Sequence, residues 1–219
     1  TLSVRMDNPE AAAEKLATAM NQANAEKKGA LLRVLSTIGG QTALASVRSA
    51  VKASDPEVRS AAVRALGDWK TADAGPDLLA SAKEAGNAKE KLLCLRSYLG
   101  LAGNTDFPAD QRLSMCREVK PLIESTEEKR LFLSALGNIQ TQPALTLVTP
   151  YLDDETVRNE AGTAVVAIAG RLLEARDISK LAPRLVEPLQ KVSQNTSNAD
   201  LAQRATALLK QAQAAAGRN

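Results

Sequence analysis

A twelve-residue phrase returns in register along this chain, and it restricts the possible folds more than any other feature. Its clearest copy is Asp55-Pro56-Glu57-Val58-Arg59-Ser60-Ala61-Ala62-Val63-Arg64-Ala65-Leu66, closed by Gly67. The segment TEEKRLFLSALG, from Thr126 to Gly137, places Lys129 under Arg59, Leu133 under Val63, Leu136 under Leu66 and Gly137 under Gly67. Asp154 to Val165 (DETVRNEAGTAV) puts Arg158 under Arg59, and the fragments KGALLRVL from Lys28 and KLLCLRSY from Lys91 add two more copies. The aligned column is Lys28, Arg59, Lys91, Lys129 and Arg158, spaced 31, 32, 38 and 29 residues apart and basic throughout. A helical unit recurring at roughly 30 to 40 residues marks a solenoid, in which each repeat buries its apolar face only against its neighbours.

Composition agrees. The 219 residues are 44% hydrophobic but only 2% aromatic, so the core must be built from small aliphatic side chains. That suits close helix packing and argues against a β-sandwich. With 28 basic and 25 acidic residues the net charge is +3, a mixed surface rather than a polyanion-binding one. No apolar run approaches the roughly 18 residues of a membrane span. The start, TLSVRMDNPE, has no signal-peptide layout, and a first residue of Thr suggests a mature or excised chain.

Every segment long enough to judge has helical periodicity. Helices are expected from Pro9 to about Asn24, then over 26–38, 40–53, 55–67, 75–86, 87–102, 109–124, 126–139, 143–152, 155–175, 178–194 and 198–216. Pro121 should kink or shorten its helix by removing a donor and crowding the preceding turn. Repeats follow as 1–24 (partial), 25–54, 55–86, 87–125, 126–153 and 154–195, closed by a capping helix at 198–216, all within one domain spanning 1–219.

The segments DPEVRSAAVRALG, DDETVRNEAGTAVVAIA and TEEKRLFLSALGNI resemble HEAT repeats. The resemblance covers nearly the whole chain and implies an all-α, right-handed α-α superhelix of about five to six antiparallel helix pairs. It also implies a non-catalytic, protein-interacting scaffold. The run EKRLFLSALGNIQTQPALTLVTPYLDDETVRNEA further resembles HEAT modules of Bacteroidetes and planctomycete-type cell-envelope proteins. That second resemblance implies a module of a larger bacterial protein in the envelope or periplasm, with the cytoplasm left open. In HEAT repeats an aspartate and a following arginine commonly form a ladder through the stack. By that resemblance Asp55, Arg59, Asp154, Arg158 and Lys129 should hold register, with an anion-binding groove as the alternative.

The apolar stripe Val63, Leu66 and Trp69 recurs as Leu32, Leu35, Ile38; Leu95, Tyr98, Leu101; and Leu133, Leu136, Ile139. Core packing is its expected role, Trp69 included. A second basic column, Arg33, Arg64 and Arg96, stands five residues beyond the first, about 140° around the helix. It is a solvated face or a dock for an acidic partner. The second helices would line the concave face, with Arg48, Lys52, Lys83, Arg112 and Arg117 as candidate contacts with a protein, a peptide or neighbouring domains of a parent chain. Cys94 and Cys116 read as buried thiols, with a redox pair as the alternative.

No catalytic, cofactor or metal site is expected. The chain has no histidine, which removes His-based triads and His-ligated metals. It has no phosphate-binding glycine motif, and its glycines mark helix ends. Asp153-Asp154-Glu155 reads as a helix start rather than a cation site. A nucleic-acid-binding module or HEAT-like DNA glycosylase is the alternative function, with Asp68-Trp69 offering an acid beside an aromatic. The charge balance and scarcity of aromatics oppose it. A purely structural spacer is the other alternative.

Overall fold

The computed structural model describes residues 8–175 and 178–217, which hold twelve α-helices and no strand. They are α1 (Pro9–Asn21), α2 (Ala25–Ile38), α3 (Gly40–Val51), α4 (Pro56–Gly67), α5 (Gly75–Lys83), α6 (Ala88–Gly103), α7 (Ala109–Val119), α8 (Thr126–Gly137), α9 (Gln142–Val148), α10 (Arg158–Leu173), α11 (Ile178–Asn195) and α12 (Ala199–Ala216). The chain is an all-α helix-pair solenoid. The first seven residues of the partial repeat 1–24 lie outside the described residues.

Several boundaries differ from expectation for identifiable reasons. The helix expected to run to 124 ends as an α-helix at Val119 and tightens into a 3₁₀ turn, Lys120–Leu122, at Pro121. Pro150 does the same after α9, where Thr149–Asp153 is 3₁₀. The helix expected from 155 starts at Arg158, because Asp154 first closes a side-chain turn. Its Oδ1 accepts from Thr156 N at 3.0 Å and from Thr156 Oγ1 at 2.7 Å, an alternative to helical pairing.

The chain divides into two compact units, Thr1–Leu101 and Ala102–Asn219. In the first, α2 packs along α4 and α1 along α3, so that like helices stack on like. Its interior holds Leu32, Leu35, Val47, Leu66, Leu78, Leu95 and Tyr98, each 2% exposed or less. Gly39 and Gly40 have φ of 72° and 86°, a left-handed passage from α2 into α3 that favours glycine. Glu10 of α1 sits over that start and accepts from Gln41 N and Thr42 N, both at 3.2 Å. A Cβ on Gly40 would overlap the Glu10 carboxylate.

In the second unit α8, α10 and α12 stack in one row, and α11 forms a long hairpin with α12. Phe132, Leu133, Leu136, Ile139, Val165, Ile168, Leu185 and Leu189 are fully buried. Phe132 meets Tyr151 with ring centroids 5.9 Å apart, tilted by 59°. The buried carboxylate of Glu128 accepts from Glu124 N at 2.8 Å and Ser125 N at 2.9 Å, half of a reciprocal capping box.

Candidate interaction surface

Four residues ahead of the basic column lies a second column that the sequence reading did not extract: Asn24, Asp55, Asn87, Ser125 and Asp154. Each accepts a backbone N–H two or three residues ahead: Lys27 N at 3.0 Å, Glu57 N at 2.8 Å, Glu90 N at 3.0 Å, Glu128 N at 3.3 Å and Thr156 N at 3.0 Å. All are side chains suited to N-caps, and this is the signal that the unvarying chemistry of the position carried.

The basic column has a corresponding structural role. Arg59 reaches back with Nη1 to Ala53 O at 2.9 Å and Ser54 O at 2.7 Å. Arg158 does the same with Nε to Leu152 O at 3.1 Å, again six residues back. Both therefore hold carbonyls where the preceding second helix ends, while Asp55 is occupied with N–H groups rather than with Arg59. The column also reaches forward: Arg59 Nη2 lies 3.4 Å from Glu90 Oε1, and Lys129 Nζ lies 2.7 Å from Asp154 Oδ2. Asp154 thus both closes its own turn and pairs. Hydrogen bonds from Lys129 first, then from the Thr156 side chain and backbone, hold its carboxyl down at about 2. Arg158 Nη2 faces Glu155 Oε1 at 3.6 Å.

The candidate partner-binding cations divide into two groups. Arg48 is tied by Nε to Asp77 Oδ2 at 2.7 Å and by Nη2 to Asp73 O at 3.1 Å, bridging consecutive second helices. Arg112 departs from the expected surface contact: it is only 8% exposed, and Nη1 donates to Asn138 O at 3.0 Å, where α8 ends. A buried cation there serves the negative end of the helix dipole. Its Nε has no hydrogen-bond partner. Arg33, Arg64, Lys83 and Arg117 are exposed, and their side chains make no hydrogen bond or ion pair with the described residues. Arg96 is exposed but partnered.

Trp69 is 5% exposed and lies in the core stripe, away from any stacking role. Cys94 and Cys116 are free and buried, and burial pushes their thiols up to about 11 and about 12. The acidic cluster is internally satisfied: Asp153 meets Lys191 at 3.0 Å, Asp154 meets Lys129 and Glu155 meets Arg158. Among the described residues no group of acids, cysteines or histidines is placed to hold a metal, and no helix is long and apolar enough to cross a membrane.

One pocket of about 340 Å³ in the first unit draws together α3, α4, α5 and the start of α6. Its walls are the pairs Arg48–Asp77 and Arg59–Glu90, and Val51, Val63, Leu93 and Cys94 supply apolar lining. Elsewhere the surface offers little apolar area. Val34, 38% exposed, is the one large apolar side chain that is exposed among the described residues.

Residues 13–95 match a family model described as HEAT repeats. No curated protein matches the sequence. Among solved structures, the crystal structure of an engineered protein, a Northeast Structural Genomics Consortium target, is similar with a TM-score of 0.53 at 18% identity, covering 93% of this chain and 97% of that one. A second engineered protein from the same consortium gives a TM-score of 0.52 at 17% identity, over 92% of this chain and 58% of that one. Both likenesses are of fold alone.

Proposed function

We propose, from the premise that this chain belongs to the HEAT-like repeat proteins, that it is a non-catalytic scaffold whose second-helix row binds another protein. HEAT repeats generally mediate protein–protein contacts, and the fold is typically non-catalytic. The observation that carries the reading is the division of the cations. Arg48, Arg59, Arg112, Lys129 and Arg158 are engaged within the fold, whereas Lys83 and Arg117 on second helices are exposed and have no side-chain partner among the described residues. Basic residues are otherwise favoured where they pair, so free ones on second helices are available to an acidic partner surface. A surface poor in exposed apolar side chains adds to this, because recognition must then run through charge and a few local depressions.

The engaged cations also fit the register ladder that the resemblance implies, here as back-reaching carbonyl caps and forward ion pairs. Arg33 and Arg64 on the first helices offer a second charged strip. Affinity capture from lysate at two salt concentrations tests the reading, with Lys83→Glu/Arg117→Glu and Arg33→Glu/Arg64→Glu variants alongside. A protein identified in the wild-type capture and lost with the second-helix variant supports it. Recovery of nucleic acid alone, with strong salt dependence, replaces it with the nucleic-acid reading. Unchanged capture by both variants leaves the structural spacer as the better account.

A further inference from the structure

The pocket between α3, α4, α5 and α6 has two charged side chains at its lining that the fold does not use. Lys52 is the C-cap of α3 and Glu84 the C-cap of α5, both are exposed, and neither side chain has a hydrogen-bond or ion-pair partner among the described residues. A cation at a helix C-terminus is locally favoured. An unpaired carboxylate there is not, because it faces the negative end of the dipole. Glu84 is thus an unpaired lining charge that local helix electrostatics oppose. The other lining charges are already paired, Arg48 with Asp77 at 2.7 Å and Arg59 with Glu90 at 3.4 Å, so the pocket's free electrostatic demand is one anion for Lys52 and one cation for Glu84.

The lining between them is apolar. Val51, Leu93 and the exposed Ala80 contribute aliphatic surface, with the buried Cys94 thiol beneath. A volume of about 340 Å³ lies at the small end of ligand pockets, enough for one or two aliphatic side chains. Building on the scaffold reading above, we propose that this pocket is the anchor site for a peptide segment of the partner. The segment carries an aliphatic residue for the pocket, flanked by an acidic residue for Lys52 and a basic residue for Glu84.

The test is selection of a displayed random twelve-residue peptide library on the full chain, followed by affinity measurement with the synthesised consensus peptide. The expected consensus is an aliphatic residue between one acid and one base. Ala80→Phe, at an exposed position on α5, fills the pocket and should weaken binding about tenfold or more. The double swap Lys52→Glu/Glu84→Lys keeps the pocket and should instead prefer the peptide with its charges exchanged. Glu84→Gln should weaken binding while raising the melting temperature, the opposite pairing from a residue retained for stability.

Two results overturn the proposal. In one, selected peptides bind Ala80→Phe and the double swap as they bind wild type, which removes the pocket and leaves a scaffold acting elsewhere. Alternatively, nothing is enriched over the Ala80→Phe control, which removes the peptide anchor, while lysate capture continues to decide the scaffold reading independently.

Discussion

At the scale of single residues, Arg59 of the basic column shows how one side chain serves two neighbours. Arg59 and Arg158 each reach back to a carbonyl six positions earlier, and Arg59 and Lys129 reach forward to acids 31 and 25 residues ahead. Asp154 receives the shortest of these forward contacts, and its folded value of about 2 lies below the ordinary 3.8. A depressed carboxyl stabilises the fold above the unfolded value and stops doing so as pH falls through the folded one. The stability difference between wild type and Asp154→Asn should therefore be constant above pH 4 and shrink between pH 4 and 2, read from melting temperatures across that range. A difference independent of pH would remove the Lys129–Asp154 bond from the account. The thiols make a second prediction at this scale. With values near 11 and 12, Cys94 and Cys116 should alkylate at pH 8 at least about a hundredfold more slowly than an exposed thiol. Denaturant should restore the ordinary rate, and fast native alkylation would contradict their burial.

At the scale of elements, glycine separates two mechanisms that the sequence presents alike. Gly67 and Gly137 close their copies of the phrase and read as helix stops, yet both are the last residues of their helices and have no positive φ. At Gly67 the role is close approach, since a Cβ there would come within 2.8 Å of Ser97 Cβ on α6, whereas one on Gly137 would make ordinary contact with Ala164 on α10, at 3.4 Å. Gly170, inside α10, has open space where its Cβ would go. Gly67→Ala should then destabilise by about 1–3 kcal/mol through overpacking, despite alanine's better helix propensity. Gly170→Ala should stabilise by up to about 1 kcal/mol through that same propensity. Chemical denaturation of the two variants checks this, and equal signs would contradict it.

The helices themselves were legible because apolar periodicity, Pro starts and Gly stops all act locally. The cap column was equally present in the sequence as Asn, Asp, Asn, Ser and Asp, but it emerges only when alignment is extended four residues before the basic column. The late start of α10 was not legible, since the Asp154–Thr156 turn and a helical first turn use the same residues. The burial of Arg112 was hidden for a different reason. Nothing in its own helix announces that the carbonyl of Asn138, 26 residues away, will take its guanidinium.

At the scale of the whole molecule, stacking like helices on like within each unit leaves each repeat's second helix with one face for neighbours and one for solvent. Which cations remain free on that face depends on contacts between repeats, and that is why Arg48 and Lys83 look equivalent in sequence but not in structure. Among the described residues Val34 is the one large apolar side chain that is exposed, so little apolar surface is on offer to draw partners indiscriminately. It follows that binding should be sensitive to salt and local in footprint, and that first-helix positions should contribute less. The most direct measurement is a photo-crosslinking scan, with a photoreactive residue placed singly at Lys83, Arg117, Ser134 and Thr163, carried out in lysate of the source cells. The account predicts that Lys83 and Arg117, on second helices, crosslink the same polypeptide, while Ser134 and Thr163, on first helices, crosslink none. Crosslinks confined to Ser134 and Thr163, or absent from all four positions, would contradict it.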